Sequence, residues 1–437
     1  MQHSHDALDR PGGIARGRLL SPLRHRDFRI LWTGMTVSLV GDGIFLIAIA
    51  WESYALWNAP AALSIVSIGM TVPTIAFLLV GGVVSDRHDR RLVMAWADGL
   101  RALAVGAVAA LVLAGALRFW ELVALVALYG VGTAFFTPAF EAVVPQLLPD
   151  EDLPQANALD QFVRPLALRL VGPVAGGGLV AASAGVAFAV DAASFAATLA
   201  AVLAIRPPTA AATDVHPSTR AALKQGLRFV RRRAWLWGTL VSAGIAYLVF
   251  LGPAEVLLPF VVKNDLHGSA GTLGLVLAAG GVGAIGAAAF MARQGHPRRD
   301  ITFMYATWTL ATLAIAGYGL AHAAWQLMAA CLLFNALEAA GTIVWATIKQ
   351  RNVPGLLLGR VSSLDWLISI GLLPLSFALT APVAAAVGAR TTLVGAAVIG
   401  AVITFGAYFL PGMRDVERRA DPDVEQSLLP TPSEAGV

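Results

Sequence analysis

Twelve runs of about twenty predominantly apolar residues, joined by short polar turns, fill the chain, and about twenty residues is the length a helix needs to cross a bilayer core. The runs are read as helices over 28–57, 63–84, 92–116, 120–146, 158–182 and 185–205, then 235–260, 270–292, 301–320, 323–348, 362–387 and 391–410. Composition agrees with lipid as the solvent. Of 437 residues, 57% are hydrophobic and 13% charged, and the mean hydropathy is +0.71. An ordinary soluble domain carries about a quarter charged residues.

The stretch 137–177 joins two of these runs through an acidic turn, and part of it recurs 205 positions later: Pro149, Leu153, Leu159 and Asp160 match Pro354, Leu358, Leu364 and Asp365. The same offset aligns Arg26, Leu31 and Trp32 with Arg231, Leu236 and Trp237, where each half begins its first long apolar run. The expected architecture is an all-α integral membrane protein with twelve transmembrane helices in two pseudo-symmetric six-helix bundles, a repeat plan found in secondary transporters. The segments are a tail (1–27), a first bundle (28–205), a linker (206–234), a second bundle (235–411) and a disordered tail (412–437). In the linker, Ser218 caps a segment with Leu223, Leu227 and Val230 at helical spacing opposite cations, a pattern that suits a helix lying on an anionic membrane surface.

Basic residues set the orientation. Loops on one side hold only Arg118, Lys263 and Arg390, whereas the tails, the linker and the other loops hold the remaining loop cations. The positive-inside rule then places both termini in the cytoplasm, in a cell (inner) membrane. The net charge of +4 and pI near 9.5 therefore read as topology anchors, not as a nucleic-acid surface. Cys331 is the single cysteine, which excludes an internal disulfide and any cysteine-based metal set. No cleavable signal precedes the first run, which is expected to stay as a membrane helix. No metal and no cofactor is expected, and Gly281, Gly283 and Gly286, although spaced like a dinucleotide fingerprint, lie inside an apolar run with no strand before them.

Two motifs are specific. The loop at 82–91 sets Gly82, Asp86, Arg87, Arg90 and Arg91 in the order Gly-x-x-x-Asp-Arg-x-x-Arg-Arg, and resembles the signature loop of the major facilitator superfamily, except that Asp89 stands where a glycine is usual. A small residue there lets two helices approach, and an acid can face a helix N-terminus. Gly172, Pro173, Gly176 and Gly177 resemble that superfamily's antiporter motif, with glycines that let backbones touch and a proline that bends the span. With PQLLPDEDLPQANALD before them and DAASF at 191–195 after, the chain is similar to the drug:proton antiporter-3 branch of macrolide-efflux and enterobactin-exporter proteins. The resemblance implies two bundles rocking about a central site lined by the first, fourth, seventh and tenth spans.

Charges inside spans are costly, so each needs a partner or a task. Asp42, flanked by Gly41 and Gly43, falls near mid-bilayer and is read as the proton carrier, the alternative being a permanently paired structural aspartate. Arg169 lies at a similar depth and is proposed as its partner, with Glu141 as a secondary acid that meets Arg164 across a helical hairpin. Asp98 with Arg101, and Asp160 with Arg164, are spaced to satisfy one another. Glu338, Asn335 and Tyr247 are the candidate cargo contacts, and Glu52 and Glu255 lie near outer helix ends.

The expected function is proton-coupled export of amphipathic drugs or related small molecules by alternating access, with cargo, protons and lipid as partners, no nucleic acid, and a monomeric state. Export of one dedicated metabolite, such as a siderophore or antibiotic, is the nearest alternative, and a non-transporting membrane sensor or scaffold the rival from another class. An enzyme is not expected, because no metal cluster or nucleophile elbow is present.

Overall fold

The structure is a computed structural model that describes residues 20–206, 227–294 and 297–419. Among the described residues, twelve helices are long and apolar enough to cross a membrane. In lipid a helix is the economical solution, because it satisfies every backbone N–H and C=O within the segment. We number them α1 (Arg26–Leu56), α2 (Pro60–Arg87), α3 (Arg90–Leu113), α4 (Phe119–Leu147), α5 (Leu153–Pro165, resuming at Gly172–Ala182), α6 (Ala184–Ala204), α7 (Ala234–Phe260), α8 (Ala270–Gln294), α9 (Asp300–Ala314), α10 (Ala324–Asn352), α11 (Gly355–Gly371, resuming at Leu373–Val387) and α12 (Ala389–Ala407). Helix α5 begins earlier than its apolar run, because a proline in the first helical turn is already preset for helix and lacks an N–H that would go unpaired.

Packing repeats between the halves. In the first, α2 packs on α4, α3 on both α4 and α6, and α1 on both α5 and α6. In the second, α8 packs on α10, α9 on both α10 and α12, and α7 on both α11 and α12. The halves meet along two long seams, α5 against α8 and α2 against the Leu373–Val387 part of α11. These seams are themselves related by the repeat.

The larger part of the seams lies toward one end of the molecule, although Leu153–Pro165 of α5 also touches α8. A single apolar core at the face remote from the termini joins Tyr54, Phe45 and Phe188 of the first half to Val256, Leu257 and Phe377 of the second. At the terminal face the cores are separate: Leu31, Met94 and Val143 in the first half, Trp235, Tyr305 and Trp345 in the second. The segment Gly355–Gly371 packs on α7, α10 and its own continuation, all in its own half. Large apolar side chains such as Leu79, Leu103, Trp120, Trp325 and Val402 stand exposed on the outside, as a lipid-facing surface requires.

Chain order persists past the last span, where a polar tail is expected from 412. A short helix, α13 (Asp415–Arg419), docks on α9: Glu417 accepts from the Thr302 backbone N–H at 2.6 Å and hydroxyl at 3.1 Å. An acid at a helix N-terminus is favoured by the positive end of the dipole. In the linker, Ser218 and Leu223 lie outside the described residues, whereas Val230 is buried in the second half's core.

Candidate functional site

The first half holds a polar cluster in its interior. Tyr129 of α4 donates its hydroxyl hydrogen to Asp42 Oδ1 of α1 at 2.8 Å. Asp98 and Arg101, one turn apart on α3, are both buried and joined directly. The Arg101 guanidinium lies between the rings of Phe136 and Phe195, 4.3 and 4.4 Å from their centres, which supplies cation–π stabilisation where water is absent. Asp191 of α6 completes the set with none of its surface exposed, accepting from the Ser194 hydroxyl at 3.3 Å. Gly41 makes the approach of α1 to α6 possible, since a Cβ there would lie 2.5 Å from Asp191 Oδ1.

The expected Asp42–Arg169 pair is not formed. The cations acting on Asp42 are Arg101 and Arg164. Arg169 instead reaches across the α5/α8 side of the molecule and donates to Asn335 Oδ1 of α10 at 3.2 Å. Its position is set by a π-helical turn, Leu166–Val171, between Pro165 and Pro173. Proline at 173 cannot bond back to the carbonyl of residue 169, and a wider turn re-aims the side chains it carries. Nor does Arg164 turn to Glu141: it makes a two-pronged pair with Asp160 at 3.1 and 3.2 Å, the i,i+4 partner that helical geometry puts in reach. Glu141 is exposed and lies within the field of both groups.

In the second half, Tyr247, Phe250, Tyr305, Trp308, Phe334 and Glu338 line a small pocket that is open on one side. Glu338 is half-buried and accepts from the Thr342 hydroxyl at 2.9 Å. Asn335, one turn before it, is occupied by Arg169 and by the Cys331 carbonyl. Five aromatic faces and one carboxylate can bury an apolar body while meeting a positive charge. Glu255, near the outer end of α7, is exposed, and Arg169 acts on it.

Residues 18–430 match the transmembrane secretion effector family. The chain belongs to that family. It is 28% identical over 410 residues to the multidrug efflux pump Tap of Mycolicibacterium fortuitum, covering 90% of this chain and 97% of Tap. It is 29% identical over 353 residues to the enterobactin exporter EntS of Citrobacter koseri, covering 78% and 81%. A bacterial homologue of the human lysosomal transporter Spinster, solved in an inward-facing, unoccupied conformation, superposes with a TM-score of 0.63 at 16% identity, covering 92% of this chain and 99% of that one. Family and fold are those of membrane transporters, not of enzymes.

Gly82 has open space where a Cβ would stand, and the close approach to α4 is made by Gly81, whose Cβ would crowd Ala134 and lie 3.1 Å from the Phe135 Cα. Arg90 donates to the Ala142 carbonyl near the end of α4 at 2.9 Å, and Arg91 to the Ile205 carbonyl past the end of α6. The Ile205 carbonyl is an acceptor that the end of α6 leaves without a helical partner. Asp89 takes the cap position of α3, accepting from the Arg91 N–H at 2.9 Å with φ −57°, so no glycine is needed there. Arg87 is exposed, and the side chain of Asp86 lies outside the described residues.

The antiporter-type stretch of this family member is a double packing face. A Cβ on Gly172 would lie 2.6 Å from the Gly43 Cα, and one on Gly176 2.9 Å from the Ile44 Cα, so these two seat α5 on α1. Gly177 faces the other half, where its Cβ would lie 3.0 Å from the Gly271 Cα of α8. Among the glycines of the false dinucleotide fingerprint, Gly281 abuts the Arg169 backbone and Gly283 abuts α10 at Leu332, while Gly286 faces open space.

Sequence reasoning passed over two members of the buried cluster. Tyr129 is a lone phenol in an apolar run, and Asp191 entered only as part of a family-like stretch. The signal for Asp191 is its Ser194 partner one turn on, a polar pair on a span otherwise apolar.

Proposed function

We propose that this chain is a proton-coupled exporter of amphipathic small molecules that works by alternating access, a monomer in the cell (inner) membrane with both termini in the cytoplasm. The observation that carries the reading is the one-sided closure: the halves are sealed together at the face remote from the termini and separate at the terminal face. That is the arrangement of a carrier open to the cytoplasm. Residues 28–205 and 235–411 are the two rocking bodies, and 206–234 links them.

Asp42 is the proton-carrying group, because it is half-buried at the edge of a buried polar cluster and so lies between water and a low-dielectric interior. Glu141, exposed near Arg164 and Asp160, is a secondary acid at the inner mouth. Arg169 ties the two halves at the cavity through Asn335, and Glu338 with Tyr247 receives the cargo. The small-residue face of Gly172, Pro173, Gly176 and Gly177 is the hinge seam. The loop of Gly82, Asp86, Arg87, Arg90 and Arg91 closes on the second half when the inner side shuts. The relatives, an efflux pump for many drugs and an exporter of enterobactin, support efflux and leave the cargo between multidrug and dedicated export. The aromatic cavity with its single carboxylate favours a cationic or amphipathic drug, whereas the Arg169 guanidinium suits an anionic metabolite.

The test is transport in reconstituted vesicles under an imposed proton gradient, with ethidium, a macrolide and enterobactin as probes. The reading expects flux of at least one probe that reverses when the gradient is reversed and that Asp42→Asn uncouples from it. Flux of every probe indifferent to the gradient contradicts it.

A further inference from the structure

Arg169 of the first half reaches one face of α10 in the second, and Glu338 stands on that same face, yet the two do not pair. Arg169, exposed on the π-helical turn of α5, donates from Nη1 to Asn335 Oδ1 at 3.2 Å. Glu338 follows Asn335 by three residues, which sets their Cβ atoms roughly 5–6 Å apart on the helix surface. The Glu338 carboxylate accepts from the Thr342 hydroxyl one turn further on at 2.9 Å, and Asn335 is steadied by donating to the Cys331 carbonyl at 2.9 Å.

In each case the partner taken is neutral. Among the described residues neither Arg169 nor Glu338 joins an ion pair, and Glu255, the other acid on which Arg169 acts, is not paired with it either. Charge kept within a membrane-spanning segment is costly, so an opposed cation and anion left open to each other need a task. The Arg169 fork commits only Nη1, and its Nε–Nη2 edge is the edge on which a guanidinium takes a carboxylate in two parallel bonds. Glu338 lines its pocket with Tyr247, Phe250 and Trp308, where a cationic ring system finds both a counter-charge and aromatic faces.

We propose that the cargo is a compact zwitterion, with a carboxylate held by Arg169 and an amine or cationic ring held by Glu338. This class rests on the reading of Glu338 and Tyr247 as the cargo site, and it joins in one molecule the cation and the anion between which that reading is divided. A lone cation answers Glu338 and leaves Arg169 unmatched, and a lone anion does the reverse. A zwitterion meets both. Because Arg169 belongs to the first half and Glu338 to the second, such a cargo also bridges the two bodies that the proposed cycle rocks.

Three xanthene dyes of one scaffold test this by equilibrium binding to the full-length protein in lipid nanodiscs, read by fluorescence anisotropy with no gradient imposed. They are a rhodamine with a free carboxylate, which is a zwitterion, its methyl ester, which is a cation, and fluorescein, which is an anion. The zwitterion should bind about tenfold or more tightly than its ester, since the ester loses the charged hydrogen bonds to the guanidinium. Fluorescein, with no cation for Glu338, should also bind more weakly than the zwitterion. Arg169→Gln should bring the zwitterion to the level of its ester, and Glu338→Gln should weaken both. If Arg169→Gln does not fold, Arg169→Lys, which keeps the charge and loses the fork, should narrow the advantage. A wild type that binds the zwitterion no better than the ester overturns the proposal, as does an advantage that survives the Arg169 variants intact. Ester binding that falls in Glu338→Gln with no preference for the zwitterion overturns the zwitterion alone and spares the cargo site. Absence of binding by all three dyes sinks both.

Discussion

Tyr54 of α1 donates its hydroxyl hydrogen to the Val256 carbonyl of α7 at 2.6 Å, joining residues 202 positions apart in the two halves. Around it, Asn58 donates to Asn264 Oδ1 at 2.8 Å, the Lys263 ammonium lies 5.2 Å from the Trp51 ring centre with Glu52 in its field, and Tyr54 packs edge-on to Phe260 at 5.5 Å. Trp51 thus serves as a contact between halves. The proposed rocking would have to break these bonds, and each is individually modest, about 0.5–1.5 kcal/mol for a neutral hydrogen bond. A seal built from several weak contacts can reopen once per cycle.

The two glycine motifs separate by steric room. Gly172→Ala should destabilise the protein by about 1–3 kcal/mol through overpacking against Gly43. Gly82→Ala, with nothing near its Cβ, should be neutral or stabilising by up to about 1 kcal/mol. Thermal unfolding in detergent compares them, and equal losses would contradict the packing described.

Cargo charge should decide the effect of Glu338→Gln. A hydrogen bond to a charged group contributes about 1.5–3 kcal/mol, so affinity for ethidium should fall about tenfold or more. An uncharged probe of similar size should bind nearly as before. Equal losses for both, measured by equilibrium binding, would remove Glu338 from the cargo site.

Asp152, between α4 and α5, accepts from the Ser21 hydroxyl at 2.6 Å and pairs with His25 Nε2 at 2.8 Å, tying the start of α1 to the α5 entry. These bonds, that from Ser21 first, hold its carboxyl below the ordinary value of 3.8. A depressed carboxylate contributes stability that is present above its ordinary range and lost as pH falls through its lowered value. Hydrogen exchange at residues 23–29 should therefore stay slow on acidification to about pH 4 and quicken only below it. Asp152→Asn should exchange faster throughout, and unchanged exchange in that variant would show the tie to be idle.

Much of this was legible in the chain. Hydropathy located every span because a bilayer imposes one length and one polarity on each, and the offset between Asp160 and Asp365 marked the repeat. That repeat is nevertheless filled differently in its two copies: Asp160 pairs with Arg164 on its own helix, while Asp365 meets Lys349 and the Trp345 indole on α10. Depth along a helix was readable at 1.5 Å per residue, yet the angle about its axis was not. Asp42 and Arg169, expected at a similar depth, turn to different neighbours: Arg169 sits in the π-helical turn at 166–171 and reaches Asn335. Gly81 rather than Gly82 bears the contact for the same reason: one residue turns a helix by about 100°, and the motif alone does not say which face is covered.

Spin labels at Asn58→Cys and Asn264→Cys, in a Cys331→Ser background, read the sealed contact directly in vesicles. The account predicts a single short distance without a proton gradient, a second, longer population once the gradient drives turnover, and no such population in Asp42→Asn. A short distance that never changes while ethidium, a macrolide or enterobactin crosses the membrane would contradict proton-coupled rocking of the two halves.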